Sequence, residues 1–113
     1  MQLTIVEDTV GSATILAAQG RVDSNTSKQL GERLNALIEA GTPSVVIDLG
    51  ELLYISSAGF RILLIAARLA EARGAGLALC GLSPEVRRLF DLGQFSRLFP
   101  IFATREEAVR QAG

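Results

Sequence analysis

The chain has 113 residues, 49% of them hydrophobic, and its 11 basic and 12 acidic side chains leave a net charge of −1. That is enough apolar material for one core and not for two, so residues 1–113 read as a single domain, and the balanced charge supplies no global field for nucleic acid or an anionic membrane. The absence of histidine and the single cysteine, Cys80, exclude His-based triads, His-containing metal sites, thiolate clusters and an internal disulfide, and nothing here calls for a cofactor.

The N-terminus lacks a basic region followed by a long apolar run, and the richest apolar window, residues 62–69, is too short to span a bilayer; a soluble cytoplasmic protein without direct membrane insertion is expected. Leu3 and Ile5, then Ala13, Ile15 and Ala17, alternate with polar residues, which predicts an antiparallel hairpin of strands 3–6 and 13–18 joined by a turn over residues 7–12. The polar run from Gly20 to Ser27 closes the second strand and opens a helix over residues 27–40, whose Leu30, Leu34, Leu37 and Ile38 share a face and which Gly41 ends. Behind Pro43, the β-branched Val45, Val46 and Ile47 suit a strand over residues 44–49 covered on both faces. A connecting piece without regular structure follows.

Ser56 and Ser57 stand where a hydroxyl cap belongs, Ser57 being the better placed, ahead of a helix over residues 58–73 with Gly59 in its first turn. Gly74 and Gly76 mark its end. Residues 77–80 read as another buried strand in which Cys80 is a small hydrophobe rather than a reactive thiol. Ser83-Pro84-Glu85 combines a cap, a first-position proline and a first-turn acid, and Val86, Leu89 and Phe90 face inward from the helix it starts. An apolar segment over residues 95–102, interrupted by Pro100, suits an edge strand, and Thr104 with Glu107 forms a capping box for a last helix. Such alternation predicts an α/β fold: a mixed β-sheet with an N-terminal hairpin and about four surrounding helices.

One stretch is more specific. Tyr54-Ile55-Ser56-Ser57-Ala58-Gly59-Phe60-Arg61 resembles the signature of the STAS domain in bacterial anti-sigma factor antagonists, which reads Asp-Ser-(Ser or Thr)-Gly-Leu at a helix start. Aligned on Gly59, the family's phosphorylated serine falls on Ser57, Ala58 replaces the second hydroxyl residue, Ser56 the aspartate and Phe60 the leucine. The missing aspartate removes a negative charge beside the acceptor. Gly20-Arg21-Val22-Asp23 stands where the family carries a Gly-Glu-Leu-Asp loop bordering the phosphorylated helix start, and both the Ser83-Pro84-Glu85 segment and the closing Thr104-Arg105-Glu106-Glu107 are similar to the C-terminal half of STAS domains.

The resemblance implies a STAS-like sheet and a phosphorylation-controlled binding module of transcriptional signal transduction, not an enzyme. In such partner switching the unphosphorylated form binds an anti-sigma factor serine kinase and releases the sigma factor, the kinase phosphorylates the serine, and a PP2C-type phosphatase restores it. The alternative is a STAS subunit of a membrane lipid-transport (ABC-type) complex that docks an ATPase through the same helix face without being phosphorylated. Asp8, Asp48 and Asp91 fall on separate elements with no spacing that makes a carboxylate pair, which argues against a small α/β enzyme.

From the residues alone Ser57 reads as a helix cap; with the resemblance it reads as the switch. Helical steps from Ser57 place Arg61, Leu64 and Arg68 on one stripe, while Ile62, Ile65, Ala66 and Leu69 form a neighbouring stripe expected in the core. Leu64 is either the edge of that core or the centre of a protein contact. The expected partner-binding set is Asp23, Ser56, Ser57, Ala58, Gly59, Arg61, Leu64 and Arg68, with Asp23 close to the Ser57 helix start because strand ends and helix starts gather on one edge of an α/β sheet.

Overall fold

Val45, Val46 and Ile47 are all fully buried, as a strand covered on both faces requires. The structure, a computed structural model, describes residues 2–112. In chain order the elements are β1 (Leu3–Val10), β2 (Ala13–Val22), α1 (Ser27–Glu39), β3 (Ser44–Asp48), β4 (Leu52–Ile55), α2 (Ser57–Arg73), β5 (Gly76–Cys80), α3 (Pro84–Leu92), a 3-10 turn at Phe95–Arg97, β6 (Ile101–Phe102) and α4 (Arg105–Ala112). The sheet runs β1-β2-β3-β5-β6, with β1 antiparallel to β2 and the other pairings parallel. It is the expected mixed α/β sheet with an N-terminal hairpin and four helices.

Three local expectations need correction. The hairpin strands extend well beyond residues 3–6 and 13–18, because Val10 still pairs with Ala13 and only Gly11 and Ser12 turn. Gly11 takes a φ of 60° there, the left-handed conformation that a two-residue hairpin turn favours. The piece read as a connection contains β4, which pairs in parallel with the end of β2, beyond the reach of β3. Finally, residues 95–102 do not form one strand: they wind through the 3-10 turn, and only Ile101 and Phe102 join the sheet edge.

The pleat sorts side chains into two layers. Leu16, Ile47 and Leu79 are in register across β2, β3 and β5 and join the core beneath α1, α2 and α3. Ile15, Val46 and Ala78 lie one residue back in the same ladder and pack on the opposite face with Cys80 and with Ala108 of α4. On the first face Phe60 stacks on Phe95 with ring centroids 4.3 Å apart and meets Phe90 edge-on at 4.8 Å, which ties the start of α2 to α3 and the 3-10 turn. Between α1 and α2 a Cβ on Gly31 would stand 2.8 Å from Ile62 Cδ1, so glycine is what lets the helices approach. On the second face Arg105 Nε donates to Asp48 Oδ2 at 2.5 Å, Thr104 caps α4 through the Glu107 N–H, and the Thr104 hydroxyl lies 3.4 Å from the Glu107 carboxylate.

The buried residues of α2 are Gly59, Phe60, Leu63, Ala66 and Ala70. Of the stripe expected in the core, Ala66 is buried and Ile62 and Leu69 are half-buried, but Ile65 is 46% exposed. The helix is apolar over most of its circumference, so spacing alone does not choose among its faces; the aromatic cluster at Phe60 does.

Candidate functional site

The backbone at the end of β4 decides which serine caps α2. Ser56 N–H donates to the Val22 carbonyl at 2.8 Å, which holds Ser56 extended (φ −91°, ψ 174°), and from there its hydroxyl accepts the Gly59 N–H at 3.3 Å. Ser56, not Ser57, is therefore the N-cap. Ser57 becomes the first helical residue, exposed, and its hydroxyl makes no hydrogen bond among the described residues. The N–H groups of Ser57 and Ala58 are among the four at a helix start that have no intrahelical partner, and the first turn contains no acid to offset the helix dipole.

Gly59 is the close-packing point of this turn. A Cβ there would lie 2.7 Å from both Val22 Cγ1 and Ile55 Cγ1, so the helix start sits directly on the ends of β2 and β4. The next residue after Val22 is Asp23, and the register Val22↔Ile55 brings the Asp23 loop and the Ser56–Ser57 turn to the same edge of the sheet. Asp23 is already engaged within its own loop. Its Oδ1 accepts the N–H groups of Asn25 at 2.9 Å and Thr26 at 3.0 Å, its own N–H donates to Thr26 Oγ1, and its carbonyl accepts the Ser27 N–H. The bonds from the Thr26 and Asn25 backbone hold its carboxyl below the usual carboxylate range. Asp23 thus shapes the loop beside the serine while keeping a negative charge there.

Along the outer face of α2, Arg61 and Arg68 are exposed and Leu64 between them is half-buried, packed against the core margin. That packing is what the core-edge reading of Leu64 expects, and the half of the side chain that stays open is what a partner would have to meet. Ala58 is half-buried beside the cap.

Two neighbours escaped the sequence reading. Arg21 lies with its guanidinium carbon 4.4 Å from the centre of the Tyr54 ring, a cation–π pair across β2 and β4 on the same edge, and its charge helps to hold Asp23 ionised. Leu53 beside it is 60% exposed. The signal was present in the pairing of β2 with β4, which the sequence did not disclose. By contrast Cys80 lies on the far face, 1% exposed, and burial followed by the nearby Asp48 charge pushes its thiol up to about 11.

The family model for the STAS domain matches residues 4–108. The protein BtrV of Bordetella bronchiseptica, named as a candidate anti-sigma factor antagonist, is 42% identical over 109 residues, which cover 96% of this chain and 91% of that protein. The anti-sigma F factor antagonist of Paenibacillus polymyxa is 24% identical over 112 residues, covering 98% and 96%. Among solved structures, an anti-sigma factor antagonist from Mycobacterium paratuberculosis superimposes with a TM-score of 0.85 at 23% identity, over 98% of this chain and 94% of that one, a likeness of fold.

Proposed function

Because this chain belongs to the STAS domain family, we propose that it is an anti-sigma factor antagonist, a binding module that engages an anti-sigma factor serine kinase while Ser57 is unmodified and lets go when Ser57 is phosphorylated. The name of the Bordetella relative supports the class of function. What carries the switch is the division of labour between the two serines. Ser56 supplies the cap, so the exposed Ser57 hydroxyl has no structural duty. A phosphoryl group on Ser57 would meet free N–H groups and the positive end of a 17-residue helix, and the domain would keep its fold.

The modification then acts through charge on a docking surface. About −1.5 to −2 charges would be added at the edge that also carries the ionised Asp23. A partner seated over Ser57 would have to desolvate that phosphate beside a carboxylate, and each 1.4 kcal/mol of such opposition weakens binding about tenfold. A PP2C-type phosphatase would reverse the change. Nothing in this scheme asks the protein for catalysis.

Calorimetry of the purified protein against the anti-sigma factor kinase of its source organism, with phosphosite mapping by mass spectrometry, tests the reading. Wild type should bind and, with ATP, gain one phosphate on Ser57; Ser57→Ala should bind without gaining it; Ser57→Asp should bind at least about tenfold more weakly at unchanged melting temperature. Phosphate appearing on Ser56, or equal affinity of wild type and Ser57→Asp, would overturn the assignment. Co-purification with a transporter ATPase and no phosphate on Ser57 would favour a transport-complex subunit instead.

A further inference from the structure

Beyond the helix start, α2 forms one wall of a groove of about 450 Å³. Leu64, Ala67 and Arg68 line that wall, Leu77 of β5 lies in it, and Leu98, Phe99 and Pro100, which lead from the 3-10 turn to β6, make the opposite wall. Leu98 is 53% exposed although it sits among apolar neighbours. One exposed arginine, Arg68, lies in the lining, and two more exposed arginines adjoin the lining residues in the chain: Arg61, two turns earlier on the same stripe, and Arg97, immediately before Leu98. None of the three has a carboxylate within salt-bridge distance among the described residues, a property they share with Arg21, Arg88 and Arg110. Glu71 is the one acid in the lining.

We propose that this groove is a second docking point on the anti-sigma partner, taking an apolar side chain from a partner segment whose flanks are acidic. The inference rests on the reading of α2 as the partner-binding face, and it adds the groove's far wall, Leu98 to Pro100, to that face. Arginine-rimmed apolar channels suit such a segment because the buried contact supplies affinity while the rim selects charge and speeds encounter. Ser57, Arg61, Leu64 and Arg68 share one helical stripe, so a partner lying along it reaches from the phosphorylation site into the groove. A contact made at both ends would be lowered by a charge on Ser57 without being abolished.

Two measurements on the full chain separate this inference from the function it rests on. In the first, backbone amide resonances are followed while two synthetic amphipathic helical peptides are added, both with leucines one turn apart, one flanked by glutamates and the other by lysines. The glutamate peptide should shift the amides of Leu64, Arg68, Leu77 and Leu98, and the lysine peptide, or Arg68→Glu titrated with the glutamate peptide, should bind at least about tenfold more weakly. Equal binding of both peptides, shifts confined to other surfaces, or no shifts at all would overturn the groove. So would changes in the same amides on raising the protein's own concentration, which would give the groove to a second copy of this chain.

In the second, Leu98→Glu and Arg68→Glu are titrated with the anti-sigma kinase. Both should lose at least about tenfold in affinity at an unchanged melting temperature. If Ser57→Asp weakens binding and neither groove variant does, the groove falls and the function stands. If none of the three has an effect, both fall.

Discussion

On one face of the sheet Leu16, Ile47 and Leu79 lie beneath three helices and an aromatic cluster; on the other, Ile15, Val46 and Ala78 are covered by α4. The same strands supply both rows, one residue out of step, yet the layers differ in depth. The first face buries large side chains from every helix except α4. On the second, Ala108 is the buried contribution of α4, and towards β1 the layer thins until Val6 and Val10, which alternate onto this side, are 46% and 45% exposed. The deep face carries α2, so the outer stripe of that helix can change charge without touching what holds the domain together. The shallow face has less apolar area to lose, and it relies on Arg105, which bridges Asp48 and Asp8, to keep α4 in place.

The largest expected effect measures this asymmetry directly. Ile47→Ala and Ile15→Ala each remove the same atoms from a fully buried position, but the first leaves a cavity among rigid helices while α4 can settle into the second. We expect losses of about 4 and about 2 kcal/mol respectively in urea denaturation. Equal losses would mean that the faces are packed alike. Next comes Gly59→Ala, whose Cβ would press on Val22 and Ile55 at 2.7 Å. Overpacking there should cost about 1–3 kcal/mol and shift the amide resonances of Ser56 and Ser57; a neutral substitution would show that the turn can give way.

On the shallow face, Arg105→Ala removes the partner of a carboxylate that also accepts the Gly50 N–H. Since the guanidinium is 38% exposed, solvent screening keeps the expected loss to about 1 kcal/mol, and hydrogen exchange should quicken in α4 while α2 stays protected. Cys80 gives a smaller, pH-dependent effect. Its thiol stays protonated in the fold up to about 11 against an ordinary value of 9.0, so the unfolded chain loses the proton first, and stability should fall as pH rises from 9 to 11. Melting temperatures across that window should drift down in wild type and stay flatter in Cys80→Ala.

The two serines give the sharpest contrast at the smallest scale. Ser56→Ala removes a cap and should cost about 1 kcal/mol, whereas Ser57→Ala, at an exposed position without a hydrogen bond, should stay within about 0.5 kcal/mol of wild type. Thermal melts of the pair decide it. The reverse order would return the capping role to Ser57.

Much of this protein was legible in its sequence because the relevant signals are local. Val45, Val46 and Ile47 announce a strand buried twice over by β-branching alone, Ser83-Pro84 announces α3, Thr104 and Glu107 announce α4, and the stretch from Tyr54 to Arg61, with Ser57 and Gly59 at the matching positions, carries the family resemblance. Other features depend on pairings between residues distant in the chain. Leu52-Leu53-Tyr54-Ile55 has no alternation to mark it as a strand, and it becomes β4 only because the overhanging end of β2 offers it a ladder. That ladder places the Val22 carbonyl where it holds Ser56 extended, and so settles which of two adjacent, chemically equivalent hydroxyls caps the helix. In the same way, spacing along the broadly apolar α2 put Ile65 in the expected core stripe, whereas the contacts of Phe60 with Phe90 and Phe95 turn Phe60, Leu63 and Ala66 inward and leave Ile65 46% exposed. Propensity and periodicity act within a few residues, and they told where the elements and the signature lie; the side of a helix that is buried and the serine that is left free are properties of contacts across the fold.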